Sequence, residues 1–260
     1  MLFRSGTSRS GSEDYTFDAT KNIGDIEKFI DEFKPDTIIN CIGILNKVAE
    51  DNKPLAVMVN SYLPHYVDEV SRNKGVKFVH VSTDCVFDGK TGDYTEDSFR
   101  TATDFYGRSK ALGEINNDVN LTLRTSIVGP DKNPNGIGLF QWFMNQENET
   151  NGFDKVIWTG VTTLELAKCM EKAITNNLTG LRHAVNNEKI DKYSLLELFN
   201  KYFNKNVTIN RKSDYVSDKS VIRTTDFDFE IPSYDQMVKE MAEWVTKHES
   251  IYSESQRVKV

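Results

Sequence analysis

Residues 76–89 read Val76-Lys77-Phe78-Val79-His80-Val81-Ser82-Thr83-Asp84-Cys85-Val86-Phe87-Asp88-Gly89. The run Val76–Val81 is short, apolar and rich in β-branched residues, which marks a strand buried on both faces. It stops at two hydroxyls and a carboxylate, side chains that favour turns and caps. Upstream, Asp25–Phe33 sets Ile26, Phe29, Ile30 and Phe33 at i, i+3, i+4 and i+7, the spacing of one helical face. Pro35 closes that helix, and Thr37–Ile42 reads as another buried strand. Leu55–Arg72 predicts a helix interrupted at Pro64. Downstream, Asp104–Ile115 predicts a helix and Leu121–Val128 a strand closed by Gly129-Pro130. Helix and strand alternate three times, so the strands are expected to be parallel, with crossover helices. The fold class is α/β, a doubly wound sheet.

Beyond Pro130 the pattern loosens. Residues 131–138 read as a loop, followed by helices at Leu164–Asn176 and Ser194–Asn204, a strand at Val207–Asn210 and a helix at Tyr234–Lys247. The expected division is a dinucleotide-binding domain over residues 1–135 and a smaller substrate lobe over 136–260, some of whose segments return to the first. With 15 Phe and 10 Tyr among 260 residues, the chain has enough apolar surface to order itself. There are 32 basic and 39 acidic residues, net −7, without a basic block, which argues against a dedicated nucleic-acid or membrane-surface binder. Cys41, Cys85 and Cys169 are odd in number and far apart, which suggests free thiols in a reducing, cytoplasmic setting and no metal site.

Two segments carry chemistry. Ser82-Thr83 follows a predicted strand, and ligands of doubly wound sheets sit at the carboxyl ends of strands. Tyr106 and Lys110 are four apart on a predicted helix and so share a face. An ammonium beside a phenol stabilises phenolate, which tunes the tyrosine to give a proton to a carbonyl oxygen or take one from an alcohol. A threonine hydroxyl can bond the same oxygen. Hydride transfer at a carbonyl requires this set, with a nicotinamide alongside. Blander readings stand beside it: Ser82-Thr83-Asp84 as a cap, Cys85 as a pocket-lining residue, His80 as a core histidine, and Tyr106 with Lys110 as an ordinary helix pair.

The strand-Ser-Thr-Asp run, with Tyr-x-x-x-Lys about two dozen residues on, resembles the extended short-chain dehydrogenase/reductase superfamily. Val81-Ser82-Thr83-Asp84-Cys85-Val86-Phe87-Asp88-Gly89 resembles the signature of its dTDP-4-dehydrorhamnose reductase branch. The resemblance implies a Rossmann fold and NAD(P)H-dependent reduction of the 4-keto group of a nucleotide-linked deoxysugar, for polysaccharide precursors. It implies Tyr106 as proton donor, Lys110 on the nicotinamide ribose and Thr83 on the substrate carbonyl. Ser82 would shape the cofactor side, and Asp84 the substrate side of the same loop. Asp18 matches an acidic residue near the adenine, Asn40-Cys41-Ile42-Gly43 a cofactor-lining segment, and Asn60 a helix asparagine near the site. Trp158 and Arg223 would meet the substrate, Arg223 through its diphosphate. The resemblance also allows a homodimer. Two alternatives share it: a sugar-nucleotide epimerase or dehydratase, and a non-catalytic subunit like the β subunit of methionine adenosyltransferase.

One departure is large. The family opens with a strand, a Gly-x-x-Gly-x-x-Gly turn and a helix that hold the pyrophosphate on backbone amides. No such run occurs in these 260 residues. Ser5–Ser10 resembles the end of the following strand and its loop, where Arg9 would favour a 2′-phosphate and hence NADP over NAD. The expectation is a truncated Rossmann domain, short of one βα unit of about 30 residues, that binds cofactor weakly.

Overall fold

The structure, a computed structural model, describes residues 7–8, 15–131, 136–224 and 229–258. Met1–Arg4 and Arg9 lie outside the described residues. In chain order the elements begin with β1 (Thr7–Ser8), β2 (Tyr15–Thr16), α1 (Asp25–Phe33), β3 (Thr37–Asn40), α2 (Asn46–Asp51) and α3 (Lys53–Ala56). A π-helical turn (Val57–Tyr62) leads into α4 (Leu63–Lys74), then β4 (Lys77–Thr83), a 3₁₀ turn (Asp84–Val86), α5 (Phe105–Leu112), β5 (Leu121–Thr125) and β6 (Ile127–Val128). The remainder comprises α6 (Leu139–Met144), β7 (Glu149–Phe153), β8 (Val156–Trp158), β9 (Val161–Thr162), α7 (Thr163–Thr175) and β10 (Gly180–His183). It ends with β11 (Ile190–Asp191), α8 (Lys192–Tyr202), β12 (Thr208–Lys212), β13 (Ser217–Asp218) and α9 (Tyr234–Lys247). The chain divides into two compact units, one of residues 1–82, 102–122 and 179–181, the other of the remainder.

The first unit is built on a sheet in the order β10-β5-β4-β3, with β5 and β10 entering it by their first residues. β3 and β4 are parallel, from Thr37 opposite Lys77 to Asn40 opposite His80. Phe17, Val59, Leu63, Val67, Phe78 and Ile115 form its core, and the predicted face of α1 packs there through Ile26 and Phe29. Ile30 closes a neighbouring cluster with Val70 and Val76. Gly75 ends α4 in the left-handed region at φ 67°, where its N–H and that of Val76 turn back onto the last helical carbonyls. β1 and β2 make a separate parallel pair.

The expected helix Leu55–Arg72 is longer than predicted, and Pro64 does not break it. Proline has no N–H for the carbonyl four residues back, and its ring crowds that carbonyl. The chain answers by widening into the π turn Val57–Tyr62 just before α4, which places Pro64 in its first turn.

The second unit holds three small sheets. β7 runs parallel to β12 from Glu149 opposite Thr208 to Phe153 opposite Lys212. β8 lies between β11 and β13, antiparallel to the first and parallel to the second. β6 pairs with β9, so the predicted strand Leu121–Val128 is divided at Ser126 as its last two residues join a different sheet. The aromatic core of this unit sets Phe140 against Phe199 and Phe203, with ring centroids 5.2 and 4.7 Å apart. Among the described residues no helix is long and apolar enough to cross a membrane.

Candidate active site

Helix α5 begins at Asp104, whose side chain accepts the Gly107 N–H at 2.8 Å as an N-cap. Tyr106 and Lys110 follow on one face and are both buried. Lys110 Nζ donates to the Val81 carbonyl at 2.7 Å, which ties α5 to the last turn of β4. Burial lowers the Lys110 ammonium to about 8, against the upward pull of Glu114 and Cys41. Next along β4, the Ser82 hydroxyl donates to Glu114 at 2.7 Å, both side chains being buried.

The segment after β3 faces the same helix. Asn40 Oδ1 accepts the Ile42 N–H at 3.0 Å, and Asn60 reaches in from the π turn to bond both the N–H and the carbonyl of Ile44, each at 2.8 Å. Three backbone polar groups of an irregular loop are thereby satisfied, leaving Cys41 and Ile42 exposed. Asn60 also donates to Ser109 Oγ at 3.0 Å, and Ser61 Oγ donates to the Ser109 carbonyl at 2.7 Å. A Cβ built on Gly113 would stand 1.9 Å from the Asn60 carbonyl oxygen, so this close approach requires glycine. Asn60 therefore holds the loop with both ends of its amide and the Tyr106–Lys110 helix with its Nδ2. Asp18 lies before α1 and accepts the Thr20 N–H and hydroxyl at 3.0 and 2.6 Å.

Thr83 belongs to the second unit by one residue. Its Oγ1 accepts the Cys85 N–H at 3.1 Å and lies 3.2 Å from Asp84 Oδ1. It is a cap, and its hydroxyl proton can turn from Asp84 to a substrate oxygen without loss of that cap. In the same unit Trp158 is buried at the end of β8, with the Tyr234 ring 5.8 Å away. Arg223 donates to the Phe229 carbonyl at 2.8 Å.

Several residues escape a reading of the sequence. Lys192, the first residue of α8, holds its ammonium 4.8 Å from the Trp158 ring centroid. Burial pushes it down to about 8, offset in part by Asp84 and Cys85. The expected helix began at Ser194, two residues beyond it. Glu114 and Ser109 gave no signal of their own, although Ser109 lies inside Tyr-x-x-x-Lys. His80 is fully buried with both ring nitrogens near partners, Asn40 Nδ2 at 3.2 Å and Lys110 Nζ at 3.4 Å. Among the described residues no cluster of His, Cys, Asp or Glu is arranged to hold a metal ion.

Known proteins resemble this chain in sequence and in fold. A reductase of low-salt glycan biosynthesis from Haloferax volcanii, named as probable, is 36% identical over 130 residues, 45% of this chain and 43% of that protein. The β subunit of methionine adenosyltransferase 2 from Xenopus laevis is 25% identical over 193 residues, 65% of this chain and 55% of that protein. The chain thus spans about half the length of these relatives. The crystal structure of dTDP-4-dehydrorhamnose reductase from Bacillus anthracis, in complex with NADP, superposes with a TM-score of 0.74. That match covers 88% of this chain and 90% of the other at 22% identity, a likeness of fold. The model of the RmlD substrate binding domain matches residues 6–244, and the chain belongs to that family.

Proposed function

We propose that the chain catalyses NAD(P)H-dependent reduction of the 4-keto group of a nucleoside-diphosphate deoxysugar, in the supply of polysaccharide precursors in the cytoplasm. One observation carries this reading: Tyr106 and Lys110 share a buried helical face that Lys110 pins to the strand ending in Ser82-Thr83. Tyr106 gives its proton to the carbonyl oxygen as that oxygen gains charge. Thr83 donates a hydrogen bond to the same oxygen. As an ammonium, Lys110 has N–H capacity beyond its Val81 bond and its 3.4 Å approach to His80 for one ribose hydroxyl, and it supplies the field that favours phenolate. Trp158 with Lys192 offers an apolar wall and a cation for the sugar nucleotide, and Arg223 is assigned to its diphosphate. Residues 1–135 serve the cofactor and 136–260 chiefly the sugar nucleotide.

The residues fit the ribose-bearing parts of the cofactor, Lys110 the nicotinamide ribose and the loop after β3 the adenosine and ribose side. Asn40 and Asn60 brace Cys41-Ile42-Gly43 as an open loop, and a Cβ on Gly43 would meet only Asn60 Oδ1, at 3.7 Å. This reading assigns Asp18 to the adenine side and Ser82 to the cofactor side of its loop. The pyrophosphate cradle has no glycine-rich counterpart in these residues. When bound, the reduced cofactor supplies the hydride. NADP is favoured over NAD through Arg9, which is outside the described residues.

The test is NADPH oxidation with a 4-keto-6-deoxysugar nucleotide. Tyr106→Phe should lower kcat by about 10²–10⁴-fold. Full activity in that variant rejects Tyr106 as the acid. Activity in neither protein at saturating bound NADPH favours the second reading, a non-catalytic subunit, which the longer span matched in the methionine adenosyltransferase relative supports. A dehydratase would want a carboxylate pair beside the tyrosine, and Thr83-Asp84-Cys85 supplies one carboxylate.

A further inference from the structure

We propose that Asn40 and His80 are positioning residues for Lys110, forming a one-way hydrogen-bond relay that fixes the imidazole proton on Nε2 and favours the neutral amine. The argument begins at Ile42, whose backbone N–H can only donate. It donates to Asn40 Oδ1 at 3.0 Å, so the other face of that amide, the Nδ2 donor, points at His80 Nδ1, 3.2 Å away. His80 Nδ1 must then accept. A neutral imidazole has one N–H, which therefore sits on Nε2, and Nε2 faces Lys110 Nζ at 3.4 Å.

An ammonium has three donors and no lone pair, so with Nε2–H it forms a pair of opposed donors. A free amine has the missing lone pair. With Lys110 neutral, every link has a donor and an acceptor: Ile42 to Asn40, Asn40 to His80, His80 to Lys110, and Lys110 to the Val81 carbonyl. The relay lies inside one compact unit, and Asn40, His80 and Lys110 are all buried there. Burial and the Lys110 charge also keep His80 well below its usual range, so the imidazole does not take a second proton. The other titratable groups facing the pair are Cys41 after β3, His65 on α4, and Tyr106 and Glu114 on and after α5. Cys41 and Glu114 favour the ammonium. Lys110 thus stands between opposing influences and can change charge near neutral pH.

The relay rests on the proposed role of Lys110 only for its purpose. Its existence is read without turnover. In the full chain labelled with ¹⁵N-histidine, the ring-nitrogen spectrum should show His80, assigned with His80→Gln, as the Nε2–H tautomer at pH 7. Asn40→Asp keeps the acceptor for Ile42 and replaces the donor by a second acceptor. It should flip His80 to the Nδ1–H tautomer and raise the Lys110 titration, followed by ¹³Cε-lysine and assigned with Lys110→Met, by tenfold or more in proton affinity. An Nδ1–H tautomer in the unsubstituted protein overturns the relay. So does a rise in the Lys110 titration without the flip, since an added carboxylate alone would produce it. If Asn40→Asp does not fold, the tautomer of the unsubstituted protein decides. A confirmed relay in a protein that reduces no sugar nucleotide would reject the proposed function and leave this inference standing.

Discussion

Lys110 shows how one buried side chain sets a working range. Its ammonium is lowered to about 8 by burial, so it is charged below that pH and neutral above it. The proposed ribose contact and the field on Tyr106 both need the charge. The kcat/KM of the proposed reduction should therefore fall as pH rises through about 8, well before an ordinary lysine near 10.5 would lose its proton. A basic limb centred near 10 in a pH–rate profile would show that Lys110 does not govern catalysis. At this scale the sequence was informative where structure is local: the shared helical face of Tyr106 and Lys110 and the place of Thr83 at the end of a strand were legible from spacing and strand position. Glu114 and Lys192 were not, because their partners Ser82 and Trp158 are more than 30 residues away and meet them only through folding.

Among the elements, the π turn and α5 depend on each other. The Asn60 carbonyl, left without the N–H of residue 64, lies where a side chain at 113 would be. Gly113→Ala should cost about 3 kcal/mol, the upper part of the range for overpacking against unyielding backbone, read as a lower denaturant midpoint. A loss under about 0.5 kcal/mol would show that the approach relaxes easily. The elements legible in advance were those with a clear period, such as α1 with its four apolar positions and the strands at residues 37–42 and 76–81. β7 (ETNGF) was not legible: it is polar, half exposed and carries Gly152, so neither alternation nor β-branching marks it. β10 was missed because its four residues are too few to show a period. Pro64 misled in a specific way, since the chain absorbs it by widening its turn.

Within the second unit, long-range closure runs through Glu96. Its carboxylate accepts the His183 N–H at 3.3 Å, the Thr224 N–H at 3.2 Å and the Thr224 hydroxyl at 2.6 Å. Burial alone would raise this acid, but the Thr224 bonds and the His183 ring outweigh it and hold the group at about 2. A carboxylate depressed in the folded state stabilises above its unfolded value, near 4.3, and that contribution is lost as pH falls through about 2. Glu96→Gln should cost on the order of 1–3 kcal/mol at pH 7 and flatten the acid side of the stability profile. A variant as stable as the parent at pH 7 would remove Glu96 from this role. Fold class was legible because alternation of elements survives the absence of any single one, whereas a phosphate cradle is one local motif.

The contact between Asn60 and Gly113 has an evolutionary side. A larger residue at 113 becomes tolerable only after the turn at 57–62 takes another path, and that path is what delivers Asn60 to the loop and to Ser109. The two positions are tied as one heritable character: in descendants of this chain that keep the asparagine, the glycine should persist, and drift should release both together.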